Sequence, residues 1–349
     1  MSPNAINKFM NIFDVIIIGA GASGLMATSE CVTAGRRTLV LDMGDAPARK
    51  VRISGGGRCN ITNMAASRNR YFGINPDFVR GILARVSPSD ILAWADQHNL
   101  APRESSPGRF FCDAGAAAVV DALWQDAQKA KFIFNTMVVS VSRSDDLFTV
   151  TTARGNFTGR CLIVATGGVS YANLGVSDLG YKIAKQFGHK IIPVRPGLGP
   201  IITPVMDPEL AGISLNVAIS VAQYVITDAM LMTHNGIGGP AAYRASLHDL
   251  GDGIRINFCP GPDIRAHITT ARQQNGRRSV STWLGTIIPA RLARWIAGPY
   301  ADVRIADLST IQIKDIVDRI ENFTITGDQL NRGSFATAEV TYGGIDTQD

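Results

Sequence analysis

Six consecutive residues, Gly19-Ala20-Gly21-Ala22-Ser23-Gly24, hold the clearest chemistry in this sequence. They follow an apolar run, Phe13 to Ile18, and lead into a helical stretch, Ser23 to Ala34, that stops at Gly35. A G-x-G-x-x-G between a strand and a helix cradles the pyrophosphate of a dinucleotide. The first glycine makes the tight turn, the second lets the backbone approach the phosphates, and the third lets helix and strand pack closely. The helix N-terminus adds amides and a positive dipole for the phosphate charge. Asp42 ends a second apolar run, Arg37 to Asp42, and lies 18 residues past Gly24. It is placed to accept hydrogen bonds from an adenosine ribose, and its charge disfavours a 2′-phosphate there. The alternative is a glycine-rich turn with no ligand. The fingerprint leaves NAD and FAD open.

Other clusters extend the same chemistry. Ser54-Gly55-Gly56-Gly57-Arg58-Cys59-Asn60 sits shortly after the second strand, with Arg49 and Lys50 beside it. Three glycines let backbone come close to a flat or charged ligand. The cations would balance a pyrophosphate or charge developing on a reduced flavin. The competing reading is a surface loop with solvated cations. Val164-Ala165-Thr166-Gly167-Gly168 ends another buried run, and ligands of doubly wound sheets lie beyond such strand ends. Among titratable groups, His234 in Thr233-His234-Asn235-Gly236 and Tyr171 after the second glycine turn are the candidate proton donors. Each competes with a structural role, as a loop histidine bonded to backbone and a packing tyrosine. Cys59 has no CxxC partner and reads as a small packing residue rather than a redox thiol.

The elements that must position these residues form an α/β pattern. Residues 13–42 make one βαβ unit, and 44–63 form a long loop. Residues 76–100 and 113–130 read as helical, Phe132 to Val141 and Asp146 to Thr152 as strands, and Cys161 to Ala165 as a buried strand. Proline and glycine crowd into 193–204, which marks a domain boundary. Beyond it, 212–259 alternates like antiparallel strands, 263–322 reads as mostly helical, and 334–340 (SFATAEV) reads as a strand returning to the first domain. The expected domains are 1–194, an inserted 195–333 (β-rich to about 260, helical over 263–322), and 334–349.

Composition limits the function classes. The 349 residues are 46% hydrophobic and 18% charged, which excludes disorder as the main state. The net charge of +5 is spread without a long basic block, so nucleic acid is not an expected partner. Five cysteines without CxxC spacing argue against a disulfide framework and a zinc site, so no metal is expected. Residues 1–13 lack the apolar core of a signal peptide, and no apolar run spans a bilayer. A cytoplasmic protein without membrane association is expected.

The ordered set GAGASG, RKVRISGGGRCNITN, ATGGVSY with GYKIAKQFGH, MTHNGIGGP and AEVTYGGID resembles the bacterial aminoacetone oxidase family of FAD-dependent oxidoreductases. One branch of that family looks like bile-acid 4,6-reductases. The likeness runs from Asp14 to Asp346, and SGGGRCN is its most specific part. It implies a Rossmann-like two-dinucleotide-binding flavoprotein fold with an inserted β-rich domain and a helical subdomain. It implies that Gly19, Gly21, Ser23 and Gly24 hold the pyrophosphate and Asp42 the ribose. Arg49, Lys50, Ser54, Gly55, Gly56, Gly57, Arg58, Cys59 and Asn60 line the cofactor, Val138 meets the adenine side, and Thr166 and Gly167 close over the pyrophosphate. The implied reaction moves hydride between flavin and a small organic substrate, with NAD(P)H or oxygen as the other redox partner.

Several positions depart from the family pattern. Asp42 stands for a usual Glu, Ala48 for a Gly, and Tyr342 for a small residue; Ala172, Leu174, Val176 and Leu179 replace members of the segment after Tyr171. Family members continue past the AEVT segment with an acidic strand end and a closing helix, whereas this sequence stops at Asp349. That implies weak flavin binding, and a catalytically impaired shortened homologue is one alternative. An NAD-dependent dehydrogenase using only the first fingerprint is the other.

Overall fold

The computed structural model describes residues 12–67, 70–71, 75–171 and 174–349. The first unit opens with β1 (Ile12–Ile18), α1 (Ala22–Thr33) and β2 (Thr38–Leu41). β1 is apolar apart from Asp14 because both faces of a parallel sheet are covered. α1 ends where Gly35 takes a left-handed φ of 70°, the usual helix stop. The stretch expected as a loop instead contains α2 (Arg49–Ile53) and β3 (Asn60–Asn63). The expected helix over 76–100 is two: α3 (Pro76–Arg85) and α4 (Pro88–Gln97). Pro88 forces the break, and a Ser87–Asp90 capping box starts the second helix. β4 (Pro102–Ser106) and β5 (Arg109–Cys112) follow, and β3-β5-β4 form a small antiparallel sheet absent from the sequence reading.

α5 (Gly115–Ala127) then leads to β6 (Lys131–Ile133), β7 (Val138–Ser144), β8 (Leu147–Thr152) and β9 (Gly155–Val164). The stretch Phe132 to Val141 therefore divides between two strands on opposite edges of the sheet. The order is β6-β2-β1-β9-β8-β7, with the first four strands parallel and the last two antiparallel. Val15, Ile17, Leu25 and Val40 pack on one face, and Phe13, Ile16, Ile18 and Leu39 on the other. Each fully buried large aliphatic among them contributes roughly 1.5–3 kcal/mol. Asp126 accepts hydrogen bonds from Trp94 Nε1 (2.9 Å) and pairs with His98 Nε2 (3.0 Å), which ties α4 to α5. α6 (Leu179–Gln186) follows β9.

The compact units are the described residues up to Pro193 with Gly343–Asp349, and Val194–Tyr342. The chain leaves the first unit along β10 (Ile191–Gly197). The second unit contains β11 (Ile201–Ile202), β12 (Ser214–Val221), β13 (Tyr224–Thr233), β14 (Gly236–Gly238), α7 (Gly239–Ala245), β15 (Ile254–Asn257), α8 (Ile264–Asn275), α9 (Val280–Leu284), α10 (Ala290–Ala297), α11 (Thr310–Glu321), β16 (Phe323–Ile325) and β17 (Asn331–Arg332). Its strands form one antiparallel sheet, β16-β15-β12-β13-β14-β11-β17, and its helices bury Ile268, Leu284, Leu292 and Ile316 in the same core. The alternation in SFATAEV does not make a strand. The Ser334 carbonyl accepts from the amides of Thr337 and Ala338, so the segment is a turn, and β18 is Val340–Ile345.

The returning segment is pinned to the first unit. Asn75 Nδ2 donates to the Thr347 carbonyl (2.8 Å), and Lys190 Nζ lies 2.9 Å from Asp346 Oδ2. The Lys190 hydrogen bond holds the Asp346 carboxyl below its ordinary range. A carboxyl with a lower pKa folded than unfolded adds stability above its unfolded value of about 4, and that stability is lost as pH falls through the folded value. Asp346→Asn is therefore expected to lower Tm at neutral pH, with the gap to the parent chain closing below about pH 4. A gap that stays constant into acid would contradict this.

Candidate cofactor site

The register of the large sheet builds the site. Ile18 lies beside Leu41 on one side and Val164 on the other, so Gly19, Asp42 and Ala165 leave the sheet next to one another. The three carboxyl ends meet at the start of α1, where ligands of such sheets lie. The three fingerprint glycines have separate physical reasons. Gly19 has φ 107°, and a Cβ there would run into the Ala165 carbonyl. A Cβ on Gly24 would run into the Gly19 carbonyl. A Cβ on Gly21 would meet nothing within 4 Å, and Gly21 lines a cavity of about 890 Å³. Gly21 caps α1 without a side-chain hydrogen bond, so the first amides of this 12-residue helix have no side-chain acceptor at the cap. Open backbone, helix amides and an adjoining cavity together fit a dinucleotide pyrophosphate.

Asp42 braces this cradle. One of its carboxylate oxygens accepts from Ala20 N and the other from Gly44 N, each at 2.6 Å. Each oxygen keeps a further lone pair for a ribose hydroxyl. Ala48 is buried with φ 50°, and its amide donates to the Ala20 carbonyl (2.8 Å). This left-handed position favours glycine, the residue that Ala48 replaces in the family pattern. Arg49, next in the chain, spans two loops. Its guanidinium lies over Gly44 and near Gly175, where a Cβ would press on it, and 3.9 Å from Asp45.

The cavity brings together Gly19, Gly21, Ser23, Asp42, Arg49, Lys50, Ser54, Cys59, Asn60, Val138, Thr166 and Gly167. Gly24 stands behind the cradle, packed on Gly19. Gly55, Gly56, Gly57 and Arg58 do not line the cavity. The three glycines are consecutive left-handed residues with φ 58°, 65° and 87°. A Cβ on Gly55 would lie 3.0 Å from the Phe111 ring, and the Arg58 guanidinium stacks over the same ring at 5.0 Å. The loop thus needs glycine for its own turn and turns its cation outward.

Cys59 is buried with φ 53°, and burial pushes its thiol up, so it stays protonated at neutral pH. Cys112 donates its amide to the Cys59 carbonyl (3.2 Å), and its thiol donates to the Leu100 carbonyl (3.0 Å). Tyr171 also has a left-handed backbone, φ 60°, with the Lys50 ammonium 5.2 Å from its ring centre. It is not part of the cavity wall, although Lys50 is. His234 lies in the second unit, in the turn between β13 and β14. Among the described residues no group of three His, Cys, Asp or Glu could hold a metal ion. No helix among them is long and apolar enough to cross a membrane.

The cavity also has an apolar wall missing from the sequence reading, made by Met26, Ile61, Ile91, Trp94, Val119 and Leu123. These residues come from α1, β3, α4 and α5, which only tertiary structure brings together.

Residues 13–349 match the family described as HI0933-like protein Rossmann domain. The chain is 33% identical over 350 residues to the ribosomal RNA dihydrouridine synthase of Escherichia coli K12, covering 97% of this chain and 87% of that protein. It is 34% identical over 346 residues to the protein of that name from Haemophilus influenzae, covering 95% and 86%. The 3-dehydro-bile acid delta(4,6)-reductase of Clostridium scindens is 25% identical over 358 residues, covering 95% and 86%. Among solved structures, the open conformation of a flavocytochrome c3 fumarate reductase aligns with a TM-score of 0.42 at 16% identity, over 62% of this chain and 50% of that one. The bile-acid branch of the resemblance stands; the nearer names are dihydrouridine synthases, not aminoacetone oxidases.

Proposed function

This chain belongs to the HI0933-like Rossmann-domain family of FAD-binding flavoprotein oxidoreductases, and from that premise we propose that it is an FAD-dependent reductase of a carbon–carbon double bond conjugated to a carbonyl. The observation that carries the cofactor is Gly21, open to the cavity at the start of α1. The relatives' names support the reaction. Making dihydrouridine saturates the uracil C5–C6 bond beside the C4 carbonyl, and a delta(4,6)-reductase of a 3-dehydro steroid saturates a bond conjugated to a ketone. Both reactions add hydride at one carbon and a proton at its neighbour. The relatives at 33–34% identity favour uracil in ribosomal RNA as the substrate. They outweigh the expectation from dispersed basic residues that nucleic acid is not a partner. The apolar cavity wall favours a second reading, a small free enone.

FAD, when bound and reduced, supplies the hydride. The residues of this chain bind and orient it and manage the proton. The α1 amides, Gly21 and Ser23 hold the pyrophosphate, Asp42 holds the ribose, and Val138 meets the adenine. Arg49 and Lys50 balance the phosphate charge. Tyr171 holds the proton for the substrate carbon, and Lys50 near its ring steadies the phenolate left behind. His234 is the other candidate donor. A reduction needs an electron donor, so we assign NAD(P)H rather than oxygen as the partner.

Titration of the purified protein with FAD, followed by anaerobic NADH or NADPH, tests this reading. The expected result is one FAD per chain, bleached by one of the two nicotinamides. Nicotinamide turnover without bound flavin would instead support a dehydrogenase, and no flavin retention would support an impaired homologue.

A further inference from the structure

The +5 net charge is not spread evenly over the fold. Residues 49–113 carry ten Arg and Lys against five Asp and Glu, whereas the rest of the chain carries 24 of each. The whole excess therefore sits on one segment, which contains α2, the β3-β5-β4 sheet, α3 and α4. Its acids are largely engaged within the segment. Asp77 pairs with Arg80 (3.4 Å) and Asp113 with Arg103 (2.7 Å). Asp90 is used in the capping box of α4, and Glu104 accepts from the Gly108 amide (2.6 Å). Arg58, Arg70 and Arg85 are exposed, and no ion pair with a carboxylate forms at any of them among the described residues. Aromatic rings accompany them: Tyr71, next to Arg70, is 49% exposed, and Phe78 on α3 is 48% exposed.

We propose that this segment is the face on which the protein docks a single-stranded stretch of RNA, with Arg58, Arg70 and Arg85 on the phosphates and Tyr71 stacked on a base. The choice of polymer rests on the RNA reading above. Cations along a backbone track combined with exposed aromatic rings are how unpaired RNA is held. The location suits the chemistry. The same segment supplies Lys50, Asn60, Ile61, Ile91 and Trp94 to the cavity wall, so the docking residues and the cofactor site share one stretch of chain. A free enone would need no such charge.

The test uses FAD-saturated protein and a fluorescein-labelled RNA hairpin with uridines in its loop, read by anisotropy between about 50 and 200 mM salt. Arg70→Ala/Arg85→Ala is compared with Arg154→Ala/Arg160→Ala, an equal charge change at exposed positions around the β8–β9 hairpin. The first pair is expected to weaken binding roughly tenfold and to cut the slope of log affinity against log salt by about 1.4, or about 0.7 per lost phosphate contact. The second pair is expected to change little. Tyr71→Ala is expected to weaken binding about fivefold or more at every salt with the slope unchanged. Equal losses from both arginine pairs overturn the docking face but leave the RNA reading intact. Selective losses with no dihydrouridine formed when NADH or NADPH is then added anaerobically uphold the face and overturn the reading. No RNA binding by the unaltered protein overturns both.

Discussion

Gly21→Val is expected to lower FAD affinity at least about a hundredfold while leaving the protein folded. The two halves of that result have separate causes. Gly21 has φ −73° and ψ −175°, backbone that any residue adopts, and no atom stands within 4 Å of its added Cβ. Valine replaces a glycine cap, which costs α1 on the order of 1 kcal/mol, so Tm is expected to fall by only about 2–4 °C. The branched side chain, however, occupies the space through which the pyrophosphate reaches the α1 amides. Gly24→Val makes the contrasting case. Its side chain would collide with the Gly19 carbonyl inside the strand–helix packing, so stability itself is lost. Calorimetric Tm alongside FAD titration separates the two. Wild-type FAD affinity in a folded Gly21→Val protein would place the pyrophosphate elsewhere.

Tyr171→Phe is expected to slow reduction of the substrate by about a hundredfold or more with FAD affinity unchanged, the usual effect of removing a general acid. The substitution removes one oxygen and keeps the ring beneath Lys50. The left-handed backbone at φ 60° points the same way: strain at a bulky residue persists where the surrounding structure holds it, commonly at a functional site. The readout is the single-turnover rate of flavin reoxidation by the substrate. His234→Asn is the companion measurement. An unchanged rate in Tyr171→Phe together with a slow His234→Asn protein would move the proton to the second unit.

The nucleotide-binding half was legible because its signals are local. GAGASG between an apolar strand and a helix, with Asp42 beyond, specifies a βαβ cradle within 30 residues, and the structure assembles those groups. What the sequence hid depends on distant partners. NITN, PRESS and RFFC have little apolar alternation, and each becomes a strand only through pairing with the others. SFATAEV alternates convincingly, yet the Ser334 carbonyl closes it into a turn. The glycines after Ser54 meet a second demand besides ligand approach, three consecutive left-handed turns, with Arg58 facing Phe111. The distribution of charge depends on folding in the same way. Along the chain the arginines look dispersed, but those between Arg49 and Arg109 belong to one folded segment with few opposing acids. Trp94 and Leu123 pack in a core, but one that opens onto the cavity.

On the function proposed above, this chain uses bound FAD to saturate a uracil ring in ribosomal RNA. The most direct test is an anaerobic single turnover. Protein carrying reduced FAD is mixed with ribosomal RNA lacking dihydrouridine, and flavin absorbance is followed while dihydrouridine is counted by mass spectrometry. The account predicts that the flavin is reoxidised without oxygen and that one dihydrouridine forms for each flavin oxidised. Flavin that stays reduced in the presence of the RNA, with no dihydrouridine formed, would contradict it.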